Sequence, residues 1–429
     1  MNAQTAAKPQ RRGACPGLSA PMPTGDGLLV RLLPRGTISL AALAALCGAA
    51  RKYGNGVIEV TSRGSIQIRG LSETSARRFA ETIAMLDIAA DGVALLCNPL
   101  NGLDAEQILD CTPLAEDLRR EIARCAFAAR LSPKVSVVID GGGLIDLDTV
   151  AADIRLRASG LRDETMFDVG VGGDAARAVQ IGRIKPARGA ETVLGLLDVI
   201  AQRGRDARAR DVLAAEGAQA FRSAIGDGPP FAPVSCGDRR NVENRAAIGL
   251  FALLDGTFAC GIGLAFGHTN ADALERLAAA AGSSRAIGLR TAPGRTLLAI
   301  GLTADGAQAF AARAARLGFI IRADDPRRKV IACAGAPICA SAHIASRALG
   351  PAIAADAARF AGTIHISGCG KGCAHAGNAA LTVVGMPEGC ALIAHGSARD
   401  TAFAVVPESK LRAAIADHVR QHALEDAHV

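Results

Sequence analysis

The chain has 429 residues, half of them hydrophobic, and a formal net charge of +7. Aromatics make up only 3% of it, with no Trp and a single Tyr, so the interior must be built from Ala, Leu, Ile and Val across more than one domain. No apolar run approaches the roughly 18 residues of a membrane span, the polar and basic start lacks a signal-peptide core, and basic runs and aromatics are too sparse for nucleic-acid binding.

Twelve cysteines in a chain without an export signal point to a reducing, cytoplasmic compartment, with thiols free or metal-bound. Of the 48 basic residues 41 are Arg. Arginine grips carboxylates with a planar two-pronged fork, so a polycarboxylate ligand suits this composition.

Residues 1–20 read as an arm holding Arg12-Gly-Ala-Cys15-Pro16-Gly17. Alternating residues after Asp26-Gly27 predict a strand, and apolar residues at helical spacing predict a helix over 39–53 with Gly54 as its stop. Strands follow over 57–63 and 66–70, broken at Gly64-Ser65. Without a bulge, Arg63, Ser65, Gln67 and Arg69 share one strand face. Further strand-turn units lie at 133–143, which carries Lys134, and at 168–173. A linker is expected between 203 and 238, with 226–233 as its Pro- and Gly-rich loop.

The first pattern then recurs. Asp255-Gly256 opens a strand, an Asn-capped helix covers 270–281, and strands cover 286–290 and 295–302. The Asp-Gly pairs at 26 and 255 lie 229 apart, and Gly70-Leu71 and Gly301-Leu302 lie 231 apart. Such a constant offset marks an internal duplication. The segments 362–367 and 379–385 occupy places comparable to 133–143 and 168–173.

Only the second half carries paired cysteines. Cys333 and Cys339 have five residues between them, and Cys369 and Cys373 have three, within Ser-Gly-Cys-Gly-Lys-Gly-Cys-Ala-His375. Two close pairs are the usual way to build a four-thiolate site. The wider gap is loose for zinc, whose paired cysteines keep about two to four residues between them. The interleaved glycines let backbone N–H groups approach sulfur, as iron–sulfur clusters use.

The duplicated units, the two cysteine pairs and Thr61-Ser62-Arg63-Gly-Ser-Ile-Gln67-Ile-Arg69-Gly70 resemble the sulfite/nitrite reductase superfamily over roughly 22–400. The resemblance implies an α+β, pseudo-two-fold duplicated fold with ferredoxin-like half-domains and a [4Fe–4S] C-terminal domain. It divides the chain into the arm 1–20, a half-domain 21–75, a first reductase-like domain 76–225, a second half-domain 240–305 and a cluster domain 320–429. The cluster ligands it implies are Cys333, Cys339, Cys369 and Cys373.

Within that superfamily, the Arg12–Gly27 stretch, Asn98-Pro-Leu-Asn-Gly102-Leu-Asp104 and His365–His375 are similar to the precorrin-3B synthases of aerobic cobalamin biosynthesis. This resemblance implies an oxygen-dependent monooxygenase that hydroxylates precorrin-3A at C20 and closes a lactone with the ring A acetate. It implies Arg63 and Lys134 as catalytic cations, with Arg63, Gln67, Arg69 and Lys134 contacting the tetrapyrrole. His365, His375 and Cys15 are candidates for hydrogen bonding to the cluster or for ligating a mononuclear non-haem iron. Electrons would come from an external donor, a ferredoxin or an NAD(P)H-linked reductase. The alternatives are a sirohaem-dependent sulfite or nitrite reductase and an iron–sulfur electron-transfer or zinc-binding protein. Against sirohaem reductase chemistry, no Arg stands near 94–96 and Ser136 replaces the second lysine of a Lys-x-Lys pair begun by Lys134. Reducing a small anion needs dense positive charge.

Overall fold

The structure, a computed structural model, describes residues 16–90, 92–160, 164–225, 246–358, 360, 362–375 and 377–425. Cys15 and the 226–233 loop lie outside these residues. The chain forms two compact units. One comprises 1–22, 91–102 and 106–241, and the other 23–90, 103–105 and 242–429.

The second unit contains both ferredoxin-like halves. In the first half Gly27–Pro34, Ile66–Leu71 and Val57–Val60 form antiparallel neighbours. Val30, Leu32, Ile58, Val60, Ile66 and Ile68 are buried, and the sheet packs on helices Leu40–Tyr53 and Glu73–Leu86. Ser39 caps the first helix by accepting from the Ala42 N–H, and Arg51 and Lys52 stand favourably in its last turn. In the second half Phe258–Gly263, Thr296–Leu302 and Gly288–Ala292 pair the same way, beneath helices Ala271–Ser283 and Ala304–Arg316.

The halves exchange edge strands. Ile38–Ser39, just before the Leu40–Tyr53 helix, pairs with Gly288 and Leu289. Its repeat equivalent His268–Asn270, just before the Ala271–Ser283 helix, pairs with Val57–Glu59. Each sheet thereby covers an edge of the other with backbone hydrogen bonds, and the two helices pack together. The repeated Gly-Leu pairs also have a physical meaning. Gly70 and Gly301 both take positive φ, 74° and 80°, and each strand slips register against its neighbour there. Both halves therefore contain a bulge.

A second duplication links the remaining sheets. In the first unit Ala94–Cys97, Ser136–Asp140 and Ala152–Ser159 run parallel, followed by antiparallel Met166–Gly173 and Val179–Ile184. The second unit repeats this with Val330–Ala332, Ile364–Ser367 and Ala379–Met386, then Gly389–Gly396 and Ala404–Val406. By topology Ala379–Met386 corresponds to Ala152–Ser159, and Met166–Gly173 corresponds to Gly389–Gly396, one strand later than the sequence pattern suggests. The central strand Ala152–Ser159 is disguised by its charges. Asp153 is buried yet accepts from the Arg208 side chain and the Ser136 and Ala209 N–H groups, while Arg157 pairs with Asp148 at 2.6 Å. The linker is also shorter than expected. Helices Ala209–Glu216 and Gln219–Ile225 occupy its first part and bury Val212 and Phe221 in the first unit's core.

Candidate functional site

The two cysteine loops leave the carboxyl ends of neighbouring parallel strands, Val330–Ala332 and Ile364–Ser367. This is where open α/β sheets place ligands, because the loops there are freed from the ladder. The loops are stitched together. The Cys333 N–H donates to the Ile366 carbonyl (3.1 Å) and the His343 N–H to the Gly368 carbonyl (2.7 Å). The Gly368 N–H donates to Cys333 Sγ at 3.1 Å, and Lys371 Nζ reaches Ser341 Oγ at 2.9 Å. Gly368 permits this approach. A Cβ there would lie 2.6 Å from the Ala342 Cβ.

Cys333, Cys339 and Cys369 are partly buried. Cys373 is exposed as a residue, yet its thiol is pushed up, first by desolvation and then by the Cys369, Cys333 and Cys339 thiols. The four sulfurs thus share one electrostatic neighbourhood. Among the described residues no three His, Cys, Asp or Glu side chains converge tightly enough to hold a single metal ion. Zinc needs every donor within about 2.3 Å of one point. The thiols influence one another, one carries a backbone N–H on its sulfur and a lysine stands beside them, a donor set that suits an iron–sulfur cluster.

The strand expected to carry four site residues divides them. Arg63 lies in the hairpin turn before the strand, where the Thr61 hydroxyl accepts from the Arg63 and Ser65 N–H groups. Gln67 belongs to a polar row, aligned across four strands as Arg31, Gln67, Glu59 and His268. Arg69 stands just before the bulge at Gly70 and is buried at 8% exposure. It grips Asp26 with two bonds of 3.1 Å and lies 3.7 Å from Glu59. Asp26 also accepts from Thr24 and Asn55. Burial alone would raise the Asp26 carboxyl, but its hydrogen bonds, chiefly to Arg69, hold it below the usual carboxylate value. Both carboxylates thus stand on the Arg69 guanidinium.

This ion-pair network abuts the cysteine loops. A Cβ on Gly25 would fall 2.0 Å from the Ala340 nitrogen and 2.8 Å from Cys339. Glu59 also pairs with Arg347, one residue after Ser346, whose hydroxyl lies 3.5 Å from Cys333 Sγ.

His365 is fully buried, and neither ring nitrogen has a hydrogen-bond partner. Burial, then His375 and Arg295, push it down to about 4, so the ring is neutral. Its centroid lies 5.6 Å from that of His375, edge-on, and His375 Nε2 contacts the Asn378 carbonyl at 3.1 Å. Lys134 is exposed in the first unit, two residues before the Ser136–Asp140 strand. Arg295 escaped the sequence reading. Its Nη2 donates to the Ala374 carbonyl at 3.3 Å, inside the second cysteine loop. Aligning the repeat at an offset of 230 would have found it, since 291–295 then matches 61–65.

Residues 20–86 match the nitrite/sulfite reductase ferredoxin-like half domain. The fold is similar to that of the Mycobacterium tuberculosis NirA protein, with a TM-score of 0.71 and 18% identity, covering 92% of this chain and 80% of that one. A Sinorhizobium protein named precorrin-3B synthase is 36% identical over 411 residues, which is 95% of this chain and 88% of that protein. At that identity over nearly the whole length, the chain belongs to the precorrin-3B synthase family.

Proposed function

We propose that this chain hydroxylates precorrin-3A at C20 with O2 and closes a lactone with the ring A acetate, a step of cobalamin biosynthesis. Family membership over nearly the full length supports the substrate. The observation that carries the reading is the pair of stitched loops, which bring four thiols together at the ends of two parallel strands. Cys333, Cys339, Cys369 and Cys373 would hold a [4Fe–4S] cluster, which when bound supplies single electrons. An external ferredoxin or NAD(P)H-linked reductase would feed it.

The chain's own side chains bind and orient. Arg63, at a hairpin tip, and Gln67, in the polar row, would meet the macrocycle, and Lys134 would add a cation for a carboxylate. Holding the ring in one pose is what confines attack to one carbon. No step is assigned to a mononuclear iron, since no three candidate ligands converge among the described residues. None of their helices is long and apolar enough to cross a membrane, and we place the protein in the cytoplasm. Ser136, where the reductases would need a second lysine, is fully buried with Asp153 on its N–H, which disfavours sirohaem reductase chemistry.

The test is purification without oxygen, followed by an absorption spectrum with iron and acid-labile sulfide analysis. A broad cluster spectrum without sirohaem bands is expected, and it disappears in Cys373→Ser. Strong sirohaem bands would replace this reading with the reductase one.

A further inference from the structure

Two symmetry-related hairpin turns of the second unit touch. The Gly294 N–H donates to the Ser62 carbonyl at 2.9 Å, and a Cβ on Gly64 would sit 3.2 Å from the Ala292 carbonyl carbon. The first turn carries Arg63. In the second, Pro293 takes the equivalent place and Arg295 stands two residues on, opposite Ser65. Arg295 adopts φ 64°, a left-handed backbone that is strained for any residue but glycine. Its stem crosses Gly267, where a Cβ would lie 2.6 Å from the Arg295 Cδ. That geometry aims the guanidinium at the Ala374 carbonyl, next to Cys373.

The surrounding charges do not balance. Burial pushes the Arg295 guanidinium down, and Glu59 is the carboxylate that opposes this. Yet Glu59 is already paired with Arg347 and Arg69, and Asp26 with Arg69. Among the described residues Arg295 makes no ion pair of its own, and the carboxylate that favours its charge is already shared by Arg69 and Arg347. Arg347 also keeps Nε and Nη1 buried without a hydrogen-bond partner. A buried, uncompensated charge is costly, so the network is built for an anion that the side chains themselves do not supply. A cluster held by four thiolates is such an anion, and its one-electron reduction adds a further negative charge.

We propose that Arg295 is a positioning residue that serves as the counter-charge of the cluster and raises its reduction potential. This rests on the four cysteine ligands and not on the identity of the substrate.

The experiment is a dithionite titration of the full chain, purified without oxygen and followed by electron paramagnetic resonance. Dithionite is the electron source and the cluster the acceptor. Arg295→Lys keeps the charge, while Arg295→Gln keeps an N–H donor for the Ala374 carbonyl and loses the charge. At fixed potential, Arg295→Gln should lower the ratio of reduced to oxidised cluster about tenfold, a midpoint about 59 mV more negative. Arg295→Lys should stay near the parent. A cluster that assembles in the lysine variant but not in the glutamine variant also supports a charge role. An unchanged midpoint in Arg295→Gln, an equal shift in both variants, or loss of the cluster from both would overturn it. A protein showing the shift but inert toward precorrin-3A would reject the substrate reading alone.

Discussion

Removing Arg69 would leave Asp26 and Glu59 as carboxylates largely shielded from water, with side-chain exposures of 10% and 13%. Breaking a buried pair from one side typically costs about 3–5 kcal/mol. Arg69→Ala should therefore lower the unfolding free energy from urea titration by an amount of that order, whereas Gln67→Ala should leave it nearly unchanged. Equal, small effects would return Arg69 to the list of ligand contacts. His268 behaves like His365. Burial first, then Arg347, push it down to about 4, with Glu59 opposing. A histidine depressed in the folded state stabilises above its unfolded value of 6.5 and loses that stabilisation as pH falls toward 4. Thermal unfolding should thus occur at progressively lower temperature between pH 6.5 and 4, and less steeply in His268→Gln. A flat profile over that window would contradict the neutral, buried assignment.

Much at the level of elements was legible, and the misses have causes. Cap residues and apolar spacing placed the helices after Ser39 and Asn270, because local backbone chemistry decides those ends. The bulge was written in the repeated glycines, Gly70 and Gly301, but a strand face inferred from strict alternation hides it. Arg295 shows in no local pattern, only in the repeat alignment. Its role depends on two turns 230 residues apart meeting in space, and no local pattern reports that. The turns also yield a stability contrast. Gly64 has φ 79° and backs onto Ala292, so Gly64→Ala should cost about 1–2 kcal/mol. Gly48 sits inside the Leu40–Tyr53 helix with open space where a Cβ would go, so Gly48→Ala should stabilise by about 0.5–1 kcal/mol. Denaturant midpoints of the two variants moving in the same direction would refute the contact between turns.

The whole molecule is a double duplication in which only one copy carries the cysteines. The corresponding loops of the first unit are closed by side-chain amides instead. Asn98 donates to the Gly142 carbonyl and Asn101 accepts from the Cys111 N–H, so the Asn98–Gly102 part of the motif reads as a staple of that unit. Spacing alone pointed to the four thiols, while the buried network beside them was hidden, since its charges come from strands, turns and a helix far apart in the chain. This architecture is proposed to serve oxygenation of a tetrapyrrole. The most direct measurement supplies the cluster-loaded protein with precorrin-3A, a ferredoxin reducing system and 18O-labelled O2, and weighs the product. The expected product is a tetrapyrrole that has gained one labelled oxygen atom. An unaltered precorrin-3A, together with turnover of sulfite or nitrite by the same preparation, would contradict it.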